Sequence, residues 1–185
     1  TLGYEGVKNR RYSFTYAGDM NGDGVPGNDL FFVPENATDL VFESWTTGGV
    51  TYTPAQQAAF LEEYIQQDAY LSTRRGQYTE RNGGILPFLH RFDLSASRDF
   101  FINIGGKRNA IQFRVDLFNV GNLINSDWGV GQRFITTAPL TSRGVDADTT
   151  TPKYRVASQL LSSSTRKATD FGSSISDVWN LQIGI

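Results

Sequence analysis

The sequence predicts an all-β fold of antiparallel strands with a single loop helix, and three observations carry that reading. Several stretches alternate apolar and polar residues with a period of two. The connections between them are lopsided, one very short and two very long. Aromatic residues make up 13% of the 185 residues beside 19 glycines, one methionine and no cysteine, a balance that suits pleated strands and turns better than a helical bundle.

The strands follow in order. "RYSFTY", residues 11–16, sets Tyr12, Phe14 and Tyr16 against Arg11, Ser13 and Thr15. "RFDLSASRDFFINI", residues 91–104, sets Phe92, Leu94, Ala96, Phe100, Ile102 and Ile104 against Arg91, Asp93, Ser95, Ser97, Asp99 and Asn103, with Arg98 and Phe101 as exceptions. "AIQFRVDLFNV" sets Ile111, Phe113, Val115 and Leu117 against Gln112, Arg114 and Asp116. "VWNLQIGI" sets Trp179, Leu181, Ile183 and Ile185 against Asn180, Gln182 and Gly184. Each strand thus has one apolar face and one wet face.

"GGKRN", residues 105–109, is a tight turn between two of these strands. Residues 18–86 and 121–174 are long connections, and loops beyond about 15 residues are uncommon in a compact soluble domain. Short turns at one end, long loops at the other and strands of about 10 residues are features of outer-membrane barrels. Tyr16, Phe100, Phe101, Phe118 and Trp179 near strand ends suit interfacial aromatic girdles. From pattern alone two readings stand: a membrane barrel with apolar residues facing lipid, or a soluble β-protein whose aromatics form a core.

The first long loop contains a helix near residues 54–68. Thr53 is its N-cap, Pro54 stands at N1, and Gln56 has capping-box spacing. Phe60, Leu61, Tyr64 and Ile65 form one apolar stripe, expected to pack the helix onto its own loop. Arg74, Arg75 and Arg81 follow. Guanidinium groups pair bidentately with anionic oxygens, so these three are candidates for an anionic ligand. The competing reading has them neutralise Glu62, Glu63 and Asp68.

"GDMNGDGVPGNDL", residues 18–30, is a candidate calcium loop. Asp19, Asn21 and Asp23 supply oxygens at positions 1, 3 and 5, Gly24 the sharp turn, and Val25 a carbonyl at position 7. Position 12, where an EF-hand needs glutamate, is Leu30, and Asp29 falls one residue early. No helices flank it. It is not an EF-hand. Two readings remain, a strand-flanked calcium loop closed by Asp29 and a metal-free turn rich in Asx and glycine.

Other classes are disfavoured. A net charge of −2 gives no basic field for nucleic acid. Without cysteine there is no thiol chemistry, and the single histidine, His90, excludes a multi-histidine metal site within the chain. No nucleophile motif accompanies His90, so an enzyme is not expected. No run approaches 18 apolar residues, so no transmembrane helix is expected. The opening "TLGYEGVKNRR" has no signal peptide, and the sequence stops within an alternating run; it reads as a piece of a longer polypeptide.

In order and spacing, "GDMNGDGVPGNDLFFVP", "TPAQQAAFLEEYIQQDAYLSTRRGQYTERN", "HRFDLSASRDF", "FRVDLFNVGNLINSDWG" and "VWNLQIGI" resemble the C-terminal end of TonB-dependent outer-membrane receptors. The subgroup they are most similar to is the Oar-like receptors with a carboxypeptidase-regulatory-like domain. The resemblance covers nearly the whole chain. It implies an antiparallel transmembrane β-barrel of 22 strands, of which residues 1–185 supply about the last four. It places the chain in the outer membrane of a Gram-negative bacterium, in contact with membrane lipid. The barrel takes up an unidentified extracellular substrate, powered by the TonB system through an N-terminal part that includes the plug. Two departures matter: the plug and TonB box are not in this segment, and Ile185 stops short of the aromatic end usual for the family's last strand.

The resemblance also orients the strands. "RYSFTY" runs outward, residues 18–86 form an extracellular loop, "HRFDLSASRDFF" returns, and "GGKRN" turns in the periplasm. Residues 121–174 form a second extracellular loop, with short strands near "QRFITT" and "KYRVAS". Calcium would then pin the first loop as a structural ion. Arg91, Asp93, Arg114 and Asp116 lie on wet faces and would form a lumenal ion-pair network. Asn119, Asn122 and Asn125 read as turn chemistry at the strand exit. The alternative is a soluble or cell-surface calcium-binding adhesion module.

Overall fold

A computed structural model describes residues 1–7, 10–145, 150–162, 166–172 and 174–185. The chain is mostly β-strand with few helices, and nearly all strand pairings are antiparallel. It divides into two compact units. One comprises Thr1–Asn9, Pro87–Arg133 and Phe171–Ile185, the other Arg10–Leu86 and Phe134–Asp170.

The first unit is built on four strands lying side by side in chain order: β1 (Leu2–Val7), β2 (Leu89–Ile104), β3 (Lys107–Phe118) and β4 (Asn180–Gly184). Gly105 and Gly106 make the β2–β3 turn with φ of 59° and 77°. Positive φ at both central residues is the hairpin geometry whose twist matches its strands, and glycine adopts it without strain. The sheet is open, with β1 and β4 as its edges.

Register keeps the two faces apart across all four strands. Leu2, Leu94, Leu117 and Leu181 form one row. Tyr4 stands opposite Phe92, Phe100 opposite Ile111, and Ala96, Val115 and Ile183 make a further row. The other face pairs Glu5 with Arg91, Ser95 with Asp116, and Asp99 with Gln112. A one-residue slip of any strand would exchange its faces.

The flanking strand differs from the sequence reading. Leu2–Val7, not "RYSFTY", pairs with β2. Within "RYSFTY" only Arg11–Tyr12 is a strand, paired with Gly84–Ile85. Phe14 and Tyr16 are buried in the second unit, so Tyr16 is not a girdle residue. Phe101, opposite Ala110, and Phe118, opposite Asn180, fall on the polar face by register, again unlike girdle positions.

The second unit has an ordinary apolar core. Helix α1 (Pro54–Gln67) starts at Thr53, whose hydroxyl accepts the Gln56 N–H while the Gln56 side chain accepts the Thr53 N–H. Leu61, Tyr64 and Ile65 are fully buried against Phe14, Phe31, Leu71 and Leu140, and Phe60 is partly buried. Gln57, on the same helix, is buried too. Strands Leu140–Val145 and Pro152–Val156 pair antiparallel, and the latter runs parallel beside Val41–Phe42. The Tyr16 and Tyr154 rings stack at 5.9 Å. Segments from both long connections therefore share one core, where each buried large side chain contributes about 1.5–3 kcal/mol. Parts of the predicted second loop, residues 146–149, 163–165 and 173, lie outside the described residues.

Candidate functional site

At the start of β2 the polar face is organised by a buried acid that the sequence reading missed. Arg91 donates to the Asp177 carboxylate at 2.8 Å and to the Gly129 carbonyl at 3.1 Å. Asp177, 5% exposed, also accepts the Gly131 and Ser174 backbone N–H groups and lies 3.5 Å from Arg133. Asn119 follows β3 in the left-handed conformation, φ 51°. Its backbone N–H donates to Asp93 at 2.8 Å, and its side-chain amide donates to the Gly129 and Asp177 carbonyls. A Cβ on Gly129 would lie 1.9 Å from the Asn119 Oδ1, so the close approach needs glycine there.

The four residues expected to form one lumenal network share a face but not a network. Arg91 and Asp93 join the Asp177–Asn119 cluster. Further along the sheet, Arg114 donates to Asp116 on its own strand at 2.7 and 3.0 Å, and Asp116 also bonds Ser95. The reason is distance along the strands: Asp116 is level with Ser95, not with Arg91. A cleft of about 280 Å³ opens on this face between Glu5, Arg91, Asp93, Asn119, Asn180 and Gln182. It presents carboxylates, amides and a guanidinium to whatever occupies it.

The opposite face ends in aromatics. Tyr4 bonds the His90 ring through its hydroxyl at 2.9 Å, and its ring meets Phe92 at 5.1 Å. Phe88 packs on His90 at 4.5 Å. Phe88, His90 and Phe92, with Trp128 and Phe171, line a cavity of about 490 Å³.

Asp19, Asn21, Asp23, Val25 and Asp29 are gathered in one loop, but its oxygens serve the loop's own backbone. Asp19 accepts the Gly22 and Gly24 N–H groups, Asn21 accepts Asp23, Asp23 accepts Val25, and Asp29 accepts Met20 at 2.6 Å. Bonds from the Asn28 amide, the Val25 N–H and the Asn21 amide hold the Asp23 carboxyl below the usual carboxylate range. Among the described residues no three acidic or histidine side chains converge as a metal site. The donors are of the kind calcium takes, and the loop closes through Asx turns.

The arginines are brought to internal partners. Arg75 grips Glu62 with both terminal nitrogens and donates to the Glu35 carbonyl. Arg74 pairs with Glu80 at 2.5 Å. Arg81 is exposed. Two of the three candidates for ligand binding thus neutralise acids, Arg75 on Glu62 of helix α1 and Arg74 on Glu80. Asp68 instead caps the following turn by accepting the Tyr70 and Leu71 N–H groups, and Glu63 pairs with Arg166.

Asp177 had a local signal, since "SISD" has capping-box spacing and Ser174 and Asp177 do form one. Asn122 and Asn125 follow the turn chemistry read from sequence, bonding Ser126, Trp128 and Asp127. Asn119 does more, through a burial that no local pattern reveals. Comparison with protein-family models, curated proteins and solved structures finds no match.

Proposed function

We propose that the chain is a segment of an outer-membrane receptor for TonB-dependent uptake, its four strands forming part of a closed barrel of about 22 strands. One observation carries the reading. Every hydrophobic residue that is buried among the described residues lies in the second unit, whereas the sheet exposes Leu2, Phe92, Leu94, Phe113, Val115, Leu181 and Ile183. Ile183 is 69% exposed while Asp177 is 5% exposed. This sheet is inside out for water: a large apolar face on an open edge invites aggregation. It suits lipid. On β2 the face that runs from Phe92 to Ile104 is apolar except for Arg98, which stands opposite Phe113; at ~3.3 Å per residue and ~40° of tilt it covers about 30 Å, enough for the apolar band of a barrel.

In this reading the polar face lines the lumen, and the loops 18–86 and 121–174 are extracellular. Substrate recognition falls to loops and plug, and the TonB system supplies energy through the N-terminal part. Calcium, as a structural ion on Asp19, Asn21, Asp23, Val25 and Asp29, belongs to the proposal on the strength of its all-oxygen donor set. No helix among the described residues is long and apolar enough to cross a membrane, which says nothing of strands.

The test uses adjacent positions. The chain has no cysteine, so Ala96→Cys and Ser97→Cys in the full-length protein each carry one label in this segment. After reconstitution with brominated lipid, a fluorophore at 96 is expected to be quenched by lipid and one at 97 by an aqueous quencher. Equal aqueous quenching at both, in a protein that stays in the soluble fraction, would sink the barrel and favour the soluble calcium-binding module.

A further inference from the structure

The second unit carries a cleft of about 370 Å³ walled by Trp45, Arg143, Arg155, Thr141, Ser158 and Gln159. Both arginines are held by Glu43, which is not part of the cleft wall: Arg143 lies 3.4 Å from its carboxylate and Arg155 3.0 Å. Lys153 is 3.7 Å from the same carboxylate. Among the described residues three cations thus share one acid. That carboxylate can satisfy only a fraction of their N–H donors, since each guanidinium carries five. The Arg155 Nε is buried without a hydrogen-bond partner. The Arg155 guanidinium also lies 5.9 Å from the centre of the Trp45 ring, which places cation and aromatic surface in one site.

We propose that this cleft binds a saccharide bearing an oxyanion, a carboxylate or phosphate group. The anion is taken by Arg143 and Arg155, whose forks match planar or tetrahedral oxygens. The sugar ring lies on Trp45, and Thr141, Ser158 and Gln159 supply neutral donors and acceptors for its hydroxyls. The inference deepens the receptor reading by naming a ligand class, and rests on it only for the ligand's passage across the membrane. Binding itself needs the second unit alone.

The test is calorimetry on the purified full-length protein with digalacturonate and glucose 6-phosphate as acidic probes, and lactose and inorganic phosphate as controls. One acidic probe is expected to bind in a salt-sensitive way. Arg143→Gln, at a half-exposed side chain, is expected to weaken it at least about tenfold, and Trp45→Leu likewise, with Trp45→Phe restoring most of the affinity. Unchanged circular dichroism in each variant separates lost binding from lost fold. Failure of both acidic probes at millimolar concentration overturns the proposal. So does lactose binding as tightly, phosphate alone matching either acidic probe, or wild-type affinity in Arg143→Gln. Each of these results leaves the lipid-quenching experiment untouched, so the two readings fail separately.

Discussion

The Arg91 guanidinium lies 2.8 Å from the Asp177 carboxylate, 86 residues away in sequence. The contact ties the polar face of β2 to the turn that leads into β4. Both side chains are largely buried, 19% and 6% exposed, so neither charge can be left alone cheaply. Asp177→Ala is expected to destabilise the protein by about 3–5 kcal/mol, the cost of orphaning a buried ionic partner. Replacing both residues is expected to cost less than the two single changes added together. A double-mutant cycle on thermal unfolding in detergent measures this; strict additivity would mean that the pair is not coupled.

Leu94 stands directly opposite Leu117, within the row that Leu2 and Leu181 complete. A cation placed there faces lipid if the barrel reading holds. Leu94→Arg is expected to cost up to about 2–4 kcal/mol of folding into bilayers, while Ser95→Arg on the neighbouring polar position costs far less. Folding yield read by heat-dependent migration in gels distinguishes them. Equal effects at 94 and 95 would argue against a lipid-facing row.

Acid should loosen the second unit through Glu62. Hydrogen bonds from Arg75 hold its carboxyl below the ordinary glutamate value of 4.5, against the upward push of burial, with help from Gln66 and the Ala37 N–H. A carboxyl whose folded pKa is depressed stabilises the fold above the unfolded value and loses that contribution as pH falls through the folded value. Glu62→Gln is therefore expected to cost about 1 kcal/mol at neutral pH, discounted because the carboxylate is one-third exposed. The cost should vanish well below pH 4.5. Melting curves at neutral and acid pH test the sign; a constant penalty at both would remove the linkage.

Calcium acts by mass action if the 19–29 loop binds it. A ligand of the folded state alone adds about 2.7 kcal/mol at a hundredfold excess over its Kd. Full-length protein titrated with calcium is expected to gain protease resistance near residue 24, and Asp19→Asn with Asp23→Asn to lose that gain. Because Asx turns already close the loop, the variant in the absence of calcium should also be cleaved faster than wild type. No calcium response in the wild type would leave the loop a metal-free turn.

Much of this protein was determined by short-range pattern. Alternation of period two assigned Leu94 and Ser95, Val115 and Asp116, Ile183 and Gln182 to their faces, because pleating makes side-chain direction a local property. Two consecutive glycines marked the β2–β3 turn, and Thr53, Pro54 and Gln56 marked the start of α1, since backbone preference and capping are settled within a few residues. Pairing was decided only in three dimensions. "RYSFTY" alternates better than "LGYEGV", yet Leu2–Val7 flanks β2 while Phe14 and Tyr16 enter a core. Aromatic alternation suits a buried core and an exposed apolar face equally, and only long-range contacts brought Phe14 and Tyr16 into a core. The same holds for Asp177 and Asn119: their burial arises from chain segments that meet far apart in sequence, and a desolvated partner leaves no mark on its neighbours.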